Sequence, residues 1–324
     1  MQFCKVEYSI PSVARIVLQA NKEELEVAAQ AAYERTKGNY TITGYAPGQA
    51  PRAAIEQARG SMVFWFDAVN DLLDRDALQL VDEAAARENL DMISDPDFDL
   101  LAVDAEQGVT VAADVCLQPV LQLTKTEGFA VKVPVRTVSL QEAEASVQQM
   151  AQVGADVSEL TAELVREQLQ KQADAQAELA AQAQLLDQLA DACTGPLPQP
   201  MVEQAFEAQM AQLTERLNRM QGNRPDFLKA IGMTEEQMQQ QLRYRAEKNL
   251  RARFALEYLT IAAGQAPNDE QVQEVLTERA ANNGQTVEEF TRRGTFRRVK
   301  TSILRDRGRE ILAQRSEVEL VREA

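Results

Sequence analysis

The chain has 324 residues and a formal net charge of −16, with 26% charged and 45% hydrophobic residues. This acidic balance argues against DNA or another nucleic acid as the main partner, because phosphate binding requires a basic face. The sequence contains no histidine and only three cysteines, which excludes serine–histidine and cysteine–histidine catalysis and gives no sign of a metal site. No stretch reads as a signal peptide or as an apolar run of about 18 residues, so we expect a cytoplasmic protein without a membrane partner.

Residues 1–117 are predicted to form an α+β N-terminal domain. Two runs within it, 13–20 and 109–117, are rich in β-branched residues and predict strands. Asn21 is a suitable N-cap for a helix over 22–37, because its side chain can accept a hydrogen bond from the first turn.

A loop rich in glycine and proline follows this helix at 38–51. A proline at the end of the loop predicts a short helix over 51–58, and a longer helix is expected over 61–89. The three alternating aspartates of 95–99 lack the glycine and glutamate of a calcium-binding loop, which favours a solvated acidic turn.

The remainder of the chain is predicted to be an extended linker, 118–138, and an elongated all-α C-terminal domain, 139–324. Ser139, Thr234 and Thr286 are each followed three residues later by glutamate or glutamine. This spacing is the signature of a capping box at a helix N-terminus.

Several helices are expected in this domain, over 158–193, 200–221 and 269–281, over 286–293, and from Phe296 onward. Two helical stretches carry apolar side chains at spacings of three and four residues, which is typical of one buried or contact-forming face. The first stripe consists of Val202, Phe206, Met210, Leu213, Leu217 and Met220. The second consists of Met238, Leu242, Ala246, Leu250 and Phe254.

Charge is unevenly distributed, and a basic cluster lies at 292–309. Its members, opposed within the cluster only by Asp306, are Arg292, Arg293, Arg297, Arg298, Lys300, Arg305, Arg307 and Arg309.

The loop segment 44–51 reads GYAPGQAP. A strand, a helix, this loop, a short helix and a long helix, in that order, resemble the N-terminal ribosome-binding domain of the trigger factor family of chaperones. The family's loop runs G-F-R-x-G-K-x-P. The matching positions here are Gly44, Tyr45, Gly48 and Pro51, with Arg52 directly after them.

The second half of the chain resembles the same family independently. The segment 198–203 is similar to the P-x-x-[LM]-[VI]-E start of a long helix. Residues 226–238 are similar to a short helix and turn, and 245–256 is similar to the A-E-x-x-[VL]-[RK]-x-R-x-x-L segment. The motifs follow the family order over nearly the whole chain.

Two features depart from the family pattern. Residues 138–158 lead directly into the helical region, where the family normally inserts a β-rich prolyl isomerase domain of the FKBP type. In the loop, Ala46 and Gln49 stand where the family has arginine and lysine. These departures imply that isomerase activity is absent and that docking to the ribosome is weakened.

The resemblance implies an ATP-independent chaperone that holds unfolded or nascent polypeptides, with a weak association with the ribosome. It implies no catalytic residues, cofactor or metal, although an isomerase label can be inherited from the family, and it leaves a homodimer open. The residues assigned to client binding are Val202, Phe206, Met210, Leu213, Met220, Phe254 and Tyr258. A non-catalytic scaffold that binds one folded partner through the basic cluster is the alternative.

Overall fold

The chain divides into two units. The first unit consists of Met1–Val120 with Pro196–Met201, and the second of Leu121–Gly195 with Val202–Ala324. The computed structural model describes residues 1–104, 106–152, 160–220, 222–291 and 294–323.

The first unit contains a four-stranded antiparallel sheet. Its strands are β1 (Gln2–Ile10), β2 (Val13–Ala20), β3 (Asp97–Asp104) and β4 (Gly108–Cys116). They lie in the order β1-β2-β4-β3. Both predicted strands are confirmed as β2 and β4, the second with its bounds shifted by one residue, and β1 and β3 are additional.

The acidic run 95–99 leads into a strand that begins at Asp97, and it does not form the expected turn. Asp97 lies opposite Asp114, and Asp99 lies opposite Ala112. Phe98, between the two aspartates, packs against the core. Successive side chains of a strand point to opposite faces, so the aspartates stay outside while the phenylalanine is directed inward.

The helices of the first unit cover the sheet with small and branched apolar side chains. Asn21 caps α1 (Lys22–Thr36), and its side chain and that of Glu24 form a capping box. The predicted helix over 61–89 begins later than expected and contains a π-helical turn, Leu73–Ala77. The wider turn lets Leu72 and Ala77, five residues apart, both face the core. The helices are α1 (Lys22–Thr36), α2 (Arg52–Arg59), α3 (Trp65–Leu72) and α4 (Leu78–Glu88).

The second unit is rich in helices, as predicted. The three capping boxes form, with Ser139, Thr234 and Thr286 each accepting from the backbone three residues later. The predicted helix start at Ser158, as well as Gln221, Arg292 and Arg293, lie outside the described residues. The helices are α5 (Leu140–Gln152), α6 (Ala162–Asp191), α7 (Gln199–Arg219), α8 (Arg224–Ile231), α9 (Glu235–Ala262), α10 (Asp269–Asn282), α11 (Val287–Phe290) and α12 (Thr295–Gln314). The residues of α7 from Val202 onward belong to this unit.

Strands also occur in this unit, which corrects the all-α expectation in detail. A two-residue pair joins β5 (Gln122–Leu123) to β7 (Cys193–Thr194). In addition, β6 (Phe129–Arg136) pairs in parallel with β8 (Ser316–Glu323). The alternate side chains of β6 that start at Phe129 are buried. Part of the predicted linker therefore forms a strand of a small sheet. The alternation of charged and apolar residues in β8 is typical of a strand.

Helices α9 and α12 approach each other closely. A Cβ atom added to Gly308 would lie 2.5 Å from the carbonyl oxygen of Leu256. The Thr260 hydroxyl donates a hydrogen bond to the Leu304 carbonyl at 2.7 Å. Only glycine permits this approach of the two backbones.

Within the described residues, no helix has both the length and the apolar character needed to cross a bilayer.

Candidate functional site

The glycine–proline loop consists of two consecutive tight turns. The backbone N–H groups of Tyr45 and Gln49 close them, each with a hydrogen bond to the carbonyl three residues earlier, at 3.1 and 3.0 Å. Gly44 and Gly48 occupy the third turn positions with φ angles of 93° and 75°. That region favours glycine, so these two residues set the loop geometry.

The loop is anchored at one end and exposed at its tip. The Tyr33 hydroxyl donates a hydrogen bond to the carbonyl of buried Ala50 at 3.1 Å. At the tip, Tyr45 is 46% exposed, and the side chains of Ala46 and Gln49 are exposed. The tip therefore presents an aromatic ring and no charge.

Arg52, the cation next to the loop, is held by carboxylates of its own unit. Its guanidinium lies 2.6 Å from a carboxylate oxygen of Glu26 and 2.6 Å from one of Glu56. Pro51, at the N-cap of α2 with φ of −65°, precedes it, although the sequence suggested that this proline would be the first helical residue. Two internal ion pairs leave Arg52 poorly placed to reach a phosphate.

The apolar stripe of α7, which continues to Met220 just past the helix end, is uneven in exposure. Val202 and Leu217 are buried, at 4% and 8% exposure, whereas Met220 is 70% exposed. Phe206, Met210 and Leu213 lie between these extremes and are half-buried. The middle of the stripe thus combines support from neighbouring side chains with an accessible apolar surface.

Of the two predicted contact residues on α9, Phe254 is 5% exposed and belongs to the core. Tyr258 is half-buried. The sequence could not separate them, because both lie on apolar helical positions. Val202 and Phe254 are therefore core residues and not part of an accessible contact surface.

A groove of about 900 Å³ lies between α6, α7 and α9, and its lining residues all belong to the second unit. Leu213 of α7 and Leu242 of α9 contribute apolar side chains to it. Arg216, Tyr244 and Arg245 line it as well, and sequence reasoning missed these three residues. The sequence does contain a pattern that could have indicated the two arginines. Each of the two leucines is followed three residues later by an arginine, which places both on the same helical face.

One end of α7 is fixed to α9 by an aromatic–cation contact. The Arg243 guanidinium lies 4.6 Å from the centre of the Phe206 ring and 2.8 Å from a carboxylate oxygen of Glu203. These contacts hold the half-buried ring of Phe206 against α9.

The basic cluster at 292–309 is partly compensated by carboxylates. Arg309 pairs with Asp306 at 2.7 Å, as the sequence suggests. Arg305 lies 3.4 Å from Glu257 of α9, a partner that is remote in the sequence. The fold therefore adds Glu257 to Asp306 as a carboxylate that neutralises part of the cluster's positive charge.

Comparison with known proteins places this architecture in a family. Residues 3–150 match the model described as bacterial trigger factor protein, and residues 156–310 match the model described as its C-terminus. The chain belongs to the trigger factor family. The resemblance inferred from the sequence motifs is therefore confirmed, and only residues 151–155 separate the two matches.

Individual trigger factors show the same relationship at moderate identity. The protein of Agathobacter rectalis is 29% identical over 157 residues, which is 48% of this chain and 34% of the relative. That of Lachnoclostridium phytofermentans is 30% identical over 127 residues, which is 39% of this chain and 29% of the relative. The chain spans about a third of the length of these curated relatives.

A solved trigger factor structure supports the fold. It was described for promiscuous substrate recognition in the folding and assembly activities of the trigger factor chaperone. The match has a TM-score of 0.50 and 13% identity, and it covers 96% of this chain and 99% of the other.

Proposed function

We propose that this protein is an ATP-independent chaperone of the trigger factor type, which holds unfolded or nascent polypeptides. The observation that carries the proposal is the half-exposed middle of the α7 stripe, Met210 and Leu213, beside the groove to α9. Promiscuous substrate recognition, stated for the solved trigger factor, requires adaptable apolar surface of this kind. Methionine suits it because its side chain is flexible and polarizable.

In this proposal, a client binds weakly and reversibly because its apolar side chains are buried against the chaperone surface. Covering a few hundred Å² at about 25 cal/mol per Å² yields several kcal/mol before ordering costs are subtracted. No GxxxxGK[ST] motif occurs in the sequence, so release in this proposal depends on fast exchange rather than on nucleotide hydrolysis. The proposed place of action is the cytosol, where unfolded chains emerge.

Ribosome docking is proposed to be weak. Ala46 and Gln49 offer no cation at the loop tip, and the guanidinium of Arg52 is engaged by Glu26 and Glu56. Binding to ribosomal phosphate depends on cations that displace counterions.

The protein is proposed to lack prolyl isomerase activity, because residues 151–155 leave no room for a domain between the two family matches. A proline-containing peptide should therefore isomerise at its uncatalysed rate, over tens to hundreds of seconds at 25 °C. A standard isomerase assay with the purified protein tests this, and acceleration at catalytic protein concentrations would contradict it.

The scaffold alternative receives less support. It relies on a basic cluster free to bind a folded partner, whereas Arg305 and Arg309 already have carboxylate neighbours in their own unit. The two functions differ in a simple assay, since a scaffold protects its own partner and not a range of denatured proteins.

The test is suppression of aggregation of several unrelated denatured proteins. The parent should suppress aggregation of all of them, and Met210→Gln and Leu213→Gln should weaken this effect by removing apolar contact. Leu179→Gln is the matched control, because Leu179 is 64% exposed on α6 and lies outside the groove. Melting curves check that each variant is folded.

Met220→Gln extends the test to the end of the stripe, and at 70% exposure this side chain should tolerate the change without loss of stability. If melting falls steeply for Met210→Gln and Leu213→Gln, those side chains are core and the contact surface is wrongly assigned. If the parent protects none of the denatured proteins, the chaperone proposal fails.

A further inference from the structure

The groove between α6, α7 and α9 has a charge opposite to that of the chain. Its lining includes Arg216, Arg245 and Lys248 against one carboxylate, that of Asp187, although the chain as a whole carries −16. The Lys248 ammonium lies 3.2 Å from Asp191 and 3.7 Å from Asp187, so acidic neighbours compensate it. Among the described residues, no ion pair joins either Arg216 or Arg245 to a carboxylate. These two arginines therefore give the groove its positive charge.

Each of these arginines stands beside a groove leucine. Leu213 and Arg216 are three residues apart on α7, and Leu242 and Arg245 are three residues apart on α9. Residues at this spacing lie on the same face of a helix. Both leucines are half-buried and both arginines are exposed. The groove thus pairs an apolar contact with a cation on two of its walls.

We propose that this groove selects segments of unfolded polypeptide in which an acidic side chain lies beside a large apolar one. The inference rests on the proposed chaperone function and specifies its client class. Charge complementarity carries it: a carboxylate finds an available guanidinium here, while its apolar neighbour meets a leucine. Salt screening limits such attraction to about 8 Å at 0.15 M ionic strength, so the selection is local to the groove.

The acidic remainder of the surface makes this preference distinguishable. Basic segments are attracted to the chain at many places, because its net charge is −16. Acidic segments are repelled by that same field and are stabilised only where cations are concentrated. The contribution of the groove therefore appears as the difference between a groove variant and a variant of equal net charge.

The experiment uses three fluorescent peptides with the same leucine and tyrosine positions, differing only in whether glutamate, glutamine or lysine lies between them. Their dissociation constants are measured for the parent and for the double variant Arg216→Gln with Arg245→Gln. The control is Arg59→Gln with Arg166→Gln, which removes two exposed arginines outside the groove.

At low ionic strength, the parent should bind the glutamate peptide about three- to tenfold more tightly than the glutamine peptide, as two exposed charge pairs allow. The preference should vanish in the groove variant, persist in the control variant and shrink as salt is added. Affinity for the glutamine peptide should be the same in all three proteins.

Equal affinity of the parent for the glutamate and glutamine peptides would overturn the inference, as would an equal loss of preference in both double variants. If Leu213→Gln still weakens binding of all three peptides in that case, the chaperone proposal stands. Failure of the parent to bind any of the peptides would overturn both proposals. A lower solution mass of the groove variant than of the parent would assign the groove to a second copy of the chain and would also overturn the inference.

Discussion

At the scale of single residues, Glu257 is an unusual carboxyl group. It is 6% exposed, and the nearest Arg305 guanidinium nitrogen lies 3.4 Å away, at the contact of α9 with α12. Burial raises the pKa of Glu257 to about 7, and the positive charges of Arg305 and Arg253 offset this only in part. Burial also lowers the pKa of Arg305. Both shifts express the cost of taking a charge out of water.

This carboxyl predicts a pH-dependent stability. Its folded-state pKa lies above its ordinary value of 4.5, so the folded protein binds the proton more tightly than the unfolded chain does. The stabilisation is complete below about pH 4.5 and is lost as the pH rises through about 7. We expect the free energy of unfolding to fall by about 1–3 kcal/mol from pH 5 to pH 8 on account of this group.

Glu257→Gln should flatten that dependence, because the amide stays neutral throughout the range. Denaturant unfolding at a series of pH values measures it. Glu236→Gln, an exposed position on the same helix, should leave the slope unchanged. An unaltered slope in Glu257→Gln would show that another group titrates.

At the scale of elements, the contact of α9 with α12 depends on Gly308. Alanine is normally the better helix former, by roughly 1 kcal/mol. Here its Cβ would lie 2.5 Å from the Leu256 carbonyl oxygen, so the two helices would have to separate. We expect Gly308→Ala to destabilise the protein by about 1–3 kcal/mol, measured as a lower melting temperature.

Gly38→Ala is the control for this change, because a Cβ at Gly38 meets no atom within 4 Å. Its effect should be within about 0.5 kcal/mol. If both variants melt like the parent, the helices adjust freely and the close approach is not a constraint.

Elements that depend on local chemistry could be predicted from the sequence. Asn21, Thr234 and Thr286 define helix starts by side-chain bonds that reach only three residues. The pairing of β6 with β8 could not be predicted in the same way, because the two strands come from opposite ends of the second unit. The residues of each strand indicate that it is a strand, but they do not indicate which distant strand pairs with it.

The same limit applies to the groove. The α7 stripe was visible as a helical period, but the sequence did not separate buried Val202 from exposed Met220. It also placed no weight on Arg216 and Arg245, which became relevant only when α7 and α9 were found to border one groove. The periodicity of a helix can be read from its own sequence, whereas tertiary packing determines which helices face each other.

At the scale of the whole molecule, we expect net charge and loop chemistry to weaken the proposed association with ribosomes together. The chain carries −16, and a polyanionic partner repels it at long range. The loop tip exposes Tyr45 but no cation. Docking would then rest on shape and one aromatic ring, without the counterion release that normally strengthens binding to phosphate.

We therefore expect weak co-sedimentation of the parent with ribosomes, and stronger co-sedimentation of the double variant Ala46→Arg with Gln49→Lys. Gly44 and Gly48 keep their positive φ angles in this variant, and both substituted side chains are exposed, so the loop geometry should persist. Each regained phosphate contact should steepen the fall of log affinity with log salt by roughly 0.7–0.9.

The control for this experiment places the same two changes in the second unit, as Ala281→Arg with Gln273→Lys, both at exposed positions on α10. It alters net charge equally but adds no cation to the loop, so its binding should stay close to that of the parent. A gain in both variants would mean that net charge alone governs association. Tight and salt-resistant binding of the parent would mean that the loop does not need cations, because docking would then rely on contacts that salt does not screen.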